Sequence, residues 1–242
     1  MTTPRLLVLF AATFAVGLLA FAPLSLLAGG RLAAAGLTAS SVQGSIWGGT
    51  LRVAAWQGRD LGDVRARLAP IGFLFGRPGL RFQVKGAAVG TGIIEAGPGG
   101  WGLKGADFAL PSRLLAPRAP LDGRVVLQDF TARFDKGRCA AAKGQVRFEL
   151  ARLGGAPTPH LALSGKAACQ DGALIAPLSG EGLGVKVDAR LRLDASGRYR
   201  IETQVTTTDA NLGLALGLAG FERTLDGSRR VDEGSIAANA DR

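Results

Sequence analysis

The chain has 242 residues, 36 of them Gly, and a formal net charge of +10 at pH 7. Glycine at this level without a triplet period excludes a collagen-like rod, and the absence of a long Ser/Gly tract excludes a flexible linker protein. With only 6% aromatic residues, the core must come from Val, Leu, Ala and Ile and is expected to be thin.

Residues 6–28, from Leu6 to Ala28, form one apolar run, LLVLFAATFAVGLLAFAPLSLLA, with no ionisable side chain. About 20 such residues in a helix cross the hydrocarbon core of a bilayer, and only a helix satisfies its backbone there within one segment. Pro23 stands near the far end, where a lost helical hydrogen bond costs least. The rival is a cleaved signal peptide, which has a shorter apolar core and a small-x-small cleavage site. The candidate Ala20-Phe21-Ala22 is followed by Pro23, and a site ending at Ala28 would put Leu26 where a small residue is required. A retained anchor is therefore the expectation. Arg5 before the run and the short leading tail favour an inside amino terminus. Residues 1–5 then form a cytoplasmic tail, 6–28 a transmembrane helix, 29–231 an exported β domain, and 232–242 a loose terminal segment.

After the Gly29-Gly30 break, residues 31–36 leave room for one interfacial turn. From Val42 the hydrophobic period becomes two. Leu51, Val53 and Ala55 alternate, as do Val64, Ala66 and Leu68, and Leu80, Phe82 and Val84. Later sets are Val146, Phe148 and Leu150, then Val185, Val187, Ala189, Leu191 and Leu193, then Tyr199, Ile201, Thr203 and Val205. Such alternation predicts strands with one buried face in a mainly antiparallel sheet. The Asp194-Ala195-Ser196-Gly197 stretch predicts a hairpin turn, and residues 70–75 a turn between strands. Leu212, Leu214, Leu216 and Leu218 alternate like a strand, but Asp209 and Asn211 can cap a helix and Gly220 can end one, so a helix is predicted. A sheet this large, with so little helix, must curl on itself, cover a groove or pack on a partner to hide its edges and its apolar face.

About 210 residues follow the anchor, enough for one large domain or two small ones. The basic residues Arg65, Arg67, Arg81, Lys85, Arg190, Arg192, Arg198 and Arg200 fall on the polar side of the alternation, which reads as a solvated face. Attraction to anionic lipid headgroups is the other reading, and nucleic acid is disfavoured because aromatic and basic residues are not interleaved. Cys139 and Cys169 are the only cysteines. Outside the cytosol they are expected to form a disulfide, against the alternatives of two buried thiols or a metal pair. His160, the one histidine, cannot complete a metal site.

Gly97-Pro98-Gly99-Gly100-Trp101-Gly102 matches the dinucleotide-binding fingerprint by letter, yet a β-run follows it, so no helix amino terminus is available for a pyrophosphate. The Gly180-Glu181-Gly182-Leu183-Gly184 stretch fails for the same reason. No cofactor is implied. Glu95, Asp107, Asp122, Asp129, Asp135, Glu149, Asp171, Glu181, Asp188 and Asp194 are the carboxylates available for paired acid–base work, and they sit mostly at turns or on polar strand faces. No strained nucleophile elbow is present. Catalytic residues are therefore not assigned.

Ser41 to Leu51 reads SVQGSIWGGTL. Gly44, Trp47, Gly48 and Gly49 predict a compact β-turn-β unit in which the indole covers glycine backbone or anchors a local core. With the preceding apolar run, the Gly-Ser-Ile-Trp-Gly-Gly unit resembles the type II secretion system protein N family. LGDVRARLAP at 61–70, LALSGKAACQDG at 161–172 and DASGRYR at 194–200 are similar to that family in the same order. The resemblance implies a bitopic inner-membrane protein of a Gram-negative bacterium, an accessory part of the machine that exports folded proteins across the outer membrane. It implies other machinery proteins as partners and carries over no catalytic residue. The alternative is an AsmA-like envelope protein, whose curled sheet would hold or conduct lipid.

Overall fold

The computed structural model describes residues 36–236 apart from 46, 70–77, 98, 116–120 and 154, together with 10, 13 and 14; for 156–160 it describes the backbone alone. Phe10, Thr13 and Phe14 are helical, and the rest of the predicted anchor lies outside the described residues, as does the predicted turn at 70–75. Among the described residues no helix is long and apolar enough to cross a membrane.

The alternating stretches form strands, as read. The first half of the sheet holds β1 (Leu37–Thr38), β2 (Ser41–Ser45), β3 (Gly48–Trp56), β4 (Arg59–Ala69), β5 (Gly79–Lys85), β6 (Val89–Gly97) and β7 (Gly100–Pro111). The helical turn α1 (Ser112–Leu115) leads to the long β8 (Leu121–Asp135) and β9 (Arg138–Leu153). Then follow β10 (Ala156–Lys166), β11 (Ala168–Gln170), β12 (Ala173–Gly182), β13 (Val185–Leu193) and β14 (Arg198–Thr207). Helix α2 (Ala210–Leu218), β15 (Glu222–Thr224) and β16 (Gly227–Ser235) end the described chain.

All sixteen described strands join one antiparallel sheet in the order β1-β3-β4-β5-β6-β7-β8-β9-β10-β12-β13-β14-β16-β15. β2 extends the first edge beside β3, and β11 lies beside β12. Nearly every strand pairs with its sequence neighbour, because hairpins are the shortest antiparallel connections. The sheet does not close; β1 and β15 are its ends. It curls instead. Gln57 Nε2 donates to the Ile236 carbonyl at 3.4 Å across 179 positions, and Trp101 Nε1 donates to the Ala195 carbonyl at 3.1 Å.

Bulges shift the simple period. Val53 takes φ 46° and is 58% exposed, while Leu51 and Ala54 are buried. The predicted Leu51/Val53/Ala55 face is thus corrected: an extra residue between Leu51 and Ala54 moves the inward position by one. β16 runs on through Ser235, pairing Asp232 with Ile201 and Glu233 with Arg200, past the point where the sequence suggests a loose segment.

The inner face carries three buried clusters. One gathers Phe148, Leu150, Leu163, Val187 and Val205 beneath Leu212, Leu216 and Phe221. A second joins Phe130, Phe134, Val146 and Leu174, with Trp101 packed against it. The third, smaller, holds Val84, Ala88, Leu110 and Leu114 under α1.

Helix α2 forms as the caps foretell. Asp209 accepts from the Asn211 and Leu212 amides at 2.8 and 3.3 Å. Gly220, at φ 82°, closes the other end: its N–H reaches the Gly217 carbonyl and the Phe221 N–H reaches Leu216, a Schellman arrangement with Phe221 and Leu216 both buried.

Candidate interaction surfaces

The Gly-Ser-Ile-Trp-Gly-Gly unit is a tight hairpin between β2 and β3, pairing Gly44 with Gly49 and Ser45 with Gly48. Gly44 has φ 104°, and a Cβ there would lie 2.4 Å from the Gly48 carbonyl oxygen, so only glycine fits. Trp47 stands at the tip, 40% exposed, while its carbonyl accepts from the Leu68 amide at 3.2 Å. The indole that does serve the core is Trp101. It stacks on Phe134 with centroids 4.7 Å apart.

Gly97 and Gly100 pair across the β6–β7 turn, so the fingerprint-like motif is a hairpin. Together with Glu95, Trp101, Arg133 and Phe134 these glycines line a shallow depression. Gly100 is there for close approach, since a Cβ would lie 2.0 Å from the Phe134 carbonyl oxygen.

Cys139 and Cys169 are joined by a disulfide with Cα atoms 5.6 Å apart. It ties the start of β9 to β11, where the Cys139 amide also donates to the Gly172 carbonyl at 2.7 Å.

Arg230 occupies a special place on the inner face. Its guanidinium pairs with Asp232 at 2.7 Å, both side chains largely buried, and donates to the Ala219 carbonyl at the end of α2. A cation there completes the last turn and meets the negative end of the helix. Near the same region burial pushes the Tyr199 phenol up, and the Asp232 carboxylate adds to that rise against the lowering effect of Arg59.

Several of the acidic candidates pair with cations. Asp122 pairs with Arg113 at 2.6 Å, Asp129 with Lys143 at 3.2 Å, Glu149 with Arg147 at 3.8 Å, and Asp188 with Lys186 at 3.6 Å. Asp107 accepts from the Asp129 amide at 3.0 Å. On the outer face Arg200 bridges Glu202 and Glu233, and Arg229 joins Glu202 at 3.2 Å. The Arg200 hydrogen bond lowers the Glu202 carboxyl first, with burial opposing and Arg229 assisting. Among the described residues no group of three or more His, Cys, Asp or Glu could hold a metal ion.

Asp194 organises the β13–β14 turn. Its carboxylate accepts from the Ser196 amide at 2.9 Å, the Ser196 hydroxyl at 2.6 Å and the Arg198 amide at 3.0 Å. Burial alone would raise this carboxyl, but the bonds from Ser196 and Arg198 together pull it below the ordinary value. A depressed folded pKa stabilises above the unfolded value of about 3.9 and is lost as pH falls through the folded one. Asp194→Ala should therefore cost about 1 kcal/mol at neutral pH, discounted for exposure. In denaturant titrations the gap from the unaltered protein should shrink below about pH 4.

A family model for protein N of the type II secretion system (T2SS) matches residues 35–232. The chain belongs to the type II secretion system protein N family. No curated protein and no solved structure matches it. The family match takes in the sheet from β1 into β16, including the Trp47 hairpin, the disulfide and α2. As a protein N family member the chain is a component of the type II secretion machinery.

Sequence reading singled out Gly44, Trp47, Gly48, Gly49, Cys139 and Cys169, and the structure places the first four in one hairpin and the last two in one bond. It missed Arg230, Asp232 and the Trp101–Phe134 stack. Arg230 could have been suspected from a cation following a Gly-terminated helix; nothing in the sequence foretells that Trp101 meets Ala195.

Proposed function

We propose that this protein N family member is a non-enzymatic platform, anchored in the inner membrane by residues 6–28, whose sheet stands in the periplasm and supports export of folded proteins across the outer membrane. The family match over residues 35–232 carries the reading. The uncharged length of the 6–28 run supports the anchor, and a disulfide suits an oxidising compartment. Charged partners beside Asp122, Asp129, Glu149 and Asp188 support a structural role over acid–base chemistry.

Contact with other machinery proteins would use an open edge. β16 pairs with β14 on one side, while β15 covers it only as far as Arg229. Beside residues 230–234 no further strand lies among the described residues, and a partner strand could add there by main-chain hydrogen bonds. Deletion of the gene should trap folded cargo in the periplasm. Normal cargo levels in the medium would refute the reading.

One observation favours a second reading. Ile94, in the inner-face row that pairs it with Leu80 and Leu103, is 43% exposed. An acyl chain could lie against such a row, as in the AsmA-like alternative. Lipid analysis of the purified protein separates the two, since a platform carries no stoichiometric lipid.

A further inference from the structure

We propose that the outer face of β3–β5 docks flat on an anionic membrane surface, an inference that rests on the tether proposed above. Arg52 on β3, Arg65 and Arg67 on β4, and Arg81 and Lys85 on β5 are all exposed. Register places them on one face: Thr50 opposes Arg65, which opposes Gln83, and Gly48 opposes Arg67, which opposes Arg81. Arg67 and Arg81 therefore sit directly across from each other, a like-charge pairing that destabilises a sheet unless an anion lies between.

Farther along the sheet several cations are held by carboxylates, Arg200 by Glu202 and Glu233 and Arg230 by Asp232 among them. Among the described residues every ion pair lies from Arg113 onward, and none involves Arg52, Arg65, Arg67, Arg81 or Lys85. Of the nearby carboxylates, Asp63 lies directly across from Lys85 on this face, and it and Asp60 also take backbone amides. Asp63 accepts from the Val53 amide at 3.1 Å and Asp60 from the Gly62 amide at 2.8 Å. Trp47 stands at the hairpin tip just before Gly48, which opposes Arg67, and is 40% exposed; an exposed indole at a sheet end suits the headgroup boundary.

Chain connectivity brings this face to the bilayer. β1 begins at Leu37 and pairs with β3. Residues 29–36 between the apolar run and β1 span about 29 Å at full extension. The strands closest to that tether thus carry Arg65 and the directly opposed Arg67 and Arg81. Phospholipid phosphates supply the matching anions, and the attraction falls off within a Debye length, so only a surface held this near would use it.

The test uses the full chain in nanodiscs of phosphatidylcholine alone or mixed with phosphatidylglycerol. Phenylglyoxal modification of each arginine is read by peptide mass spectrometry. Arg65, Arg67 and Arg81 should be protected several-fold in the phosphatidylglycerol discs, the protection should vanish in high salt, and Arg190 and Arg192 should react equally in both. Equal reactivity of all five in both discs would overturn the docking face. Protection in native envelopes but not in phosphatidylglycerol discs would assign the face to an acidic protein and also overturn it. Failure of the chain to enter either disc would instead strike the anchor, a separable result. The R65Q/R67Q/R81Q variant provides a second reading: it should still enter the discs, while amide exchange over β3–β5 no longer differs between the two lipids.

Discussion

Cys139→Ser is expected to lower the melting temperature by about 10 °C. The bond closes a separation of 30 positions, for which the chain-entropy relation gives about 3.6 kcal/mol. A domain of this size loses about 2–4 °C per kcal/mol. The effect is large because the core beside the bond is thin: Phe134 is the one aromatic ring there below 5% exposure, and its neighbours Ala132, Ala167 and Ala176 are small. Thermal scans of the full chain in detergent, with and without reductant, measure it. The unaltered protein in reductant should melt like the variant, and an unchanged midpoint would show that the sheet is held without the crosslink.

Leu216→Ala is expected to cost about 3 kcal/mol, within the range for a buried leucine. Leu216 has no exposed surface, lies among Leu163, Val187, Val205 and Phe221, and lends its carbonyl to the Phe221 amide that ends α2. Removing the side chain opens a cavity and loosens the helix that covers this part of the inner face. Denaturant titration gives the loss, and hydrogen exchange should show α2 opening ahead of β13 and β14. Leu216 and Cys139 belong to different clusters, so the double variant should lose close to the sum. A Leu216→Ala protein as stable as the original would mean that α2 does not dock where the structure puts it.

Much of the sheet was legible because one face is buried and the period of two survives in sequence. Val185, Val187 and Ala189 on β13, and Val146, Phe148 and Leu150 on β9, read correctly for that reason. Period reasoning fails at bulges: Val53, Gly62 and Asp129 take positive φ and shift the inward set, and the β-branched Val53 is not a residue type that announces it. Helix α1 has four residues, too few for any period. Helix α2 is leucine-rich on all sides, with Leu214 60% and Leu218 92% exposed, so only its caps, Asp209 and Gly220, betray it.

The interaction surfaces were partly legible. The Gly44 hairpin and the cysteine pair are local or compositional signals. The sites made by curling, where Gln57 meets Ile236 and Trp101 meets Ala195, join residues separated by 179 and 94 positions and have no local mark. Arg67 and Arg81 were readable as solvent-facing, but their direct opposition is a matter of register, fixed by a β4–β5 pairing that the sequence does not state.

The most direct test of a membrane-held secretion platform is complementation of a deletion strain, measured as the fraction of folded cargo in the culture medium. One plasmid carries the full chain, and the other replaces residues 6–28 with a cleavable signal peptide, so the same sheet reaches the periplasm untethered. The full chain should restore cargo to the medium, and the untethered chain, present at equal level, should leave most of it in the periplasm. Equal restoration by both would contradict the tether, and normal export in the deletion strain itself would contradict the platform.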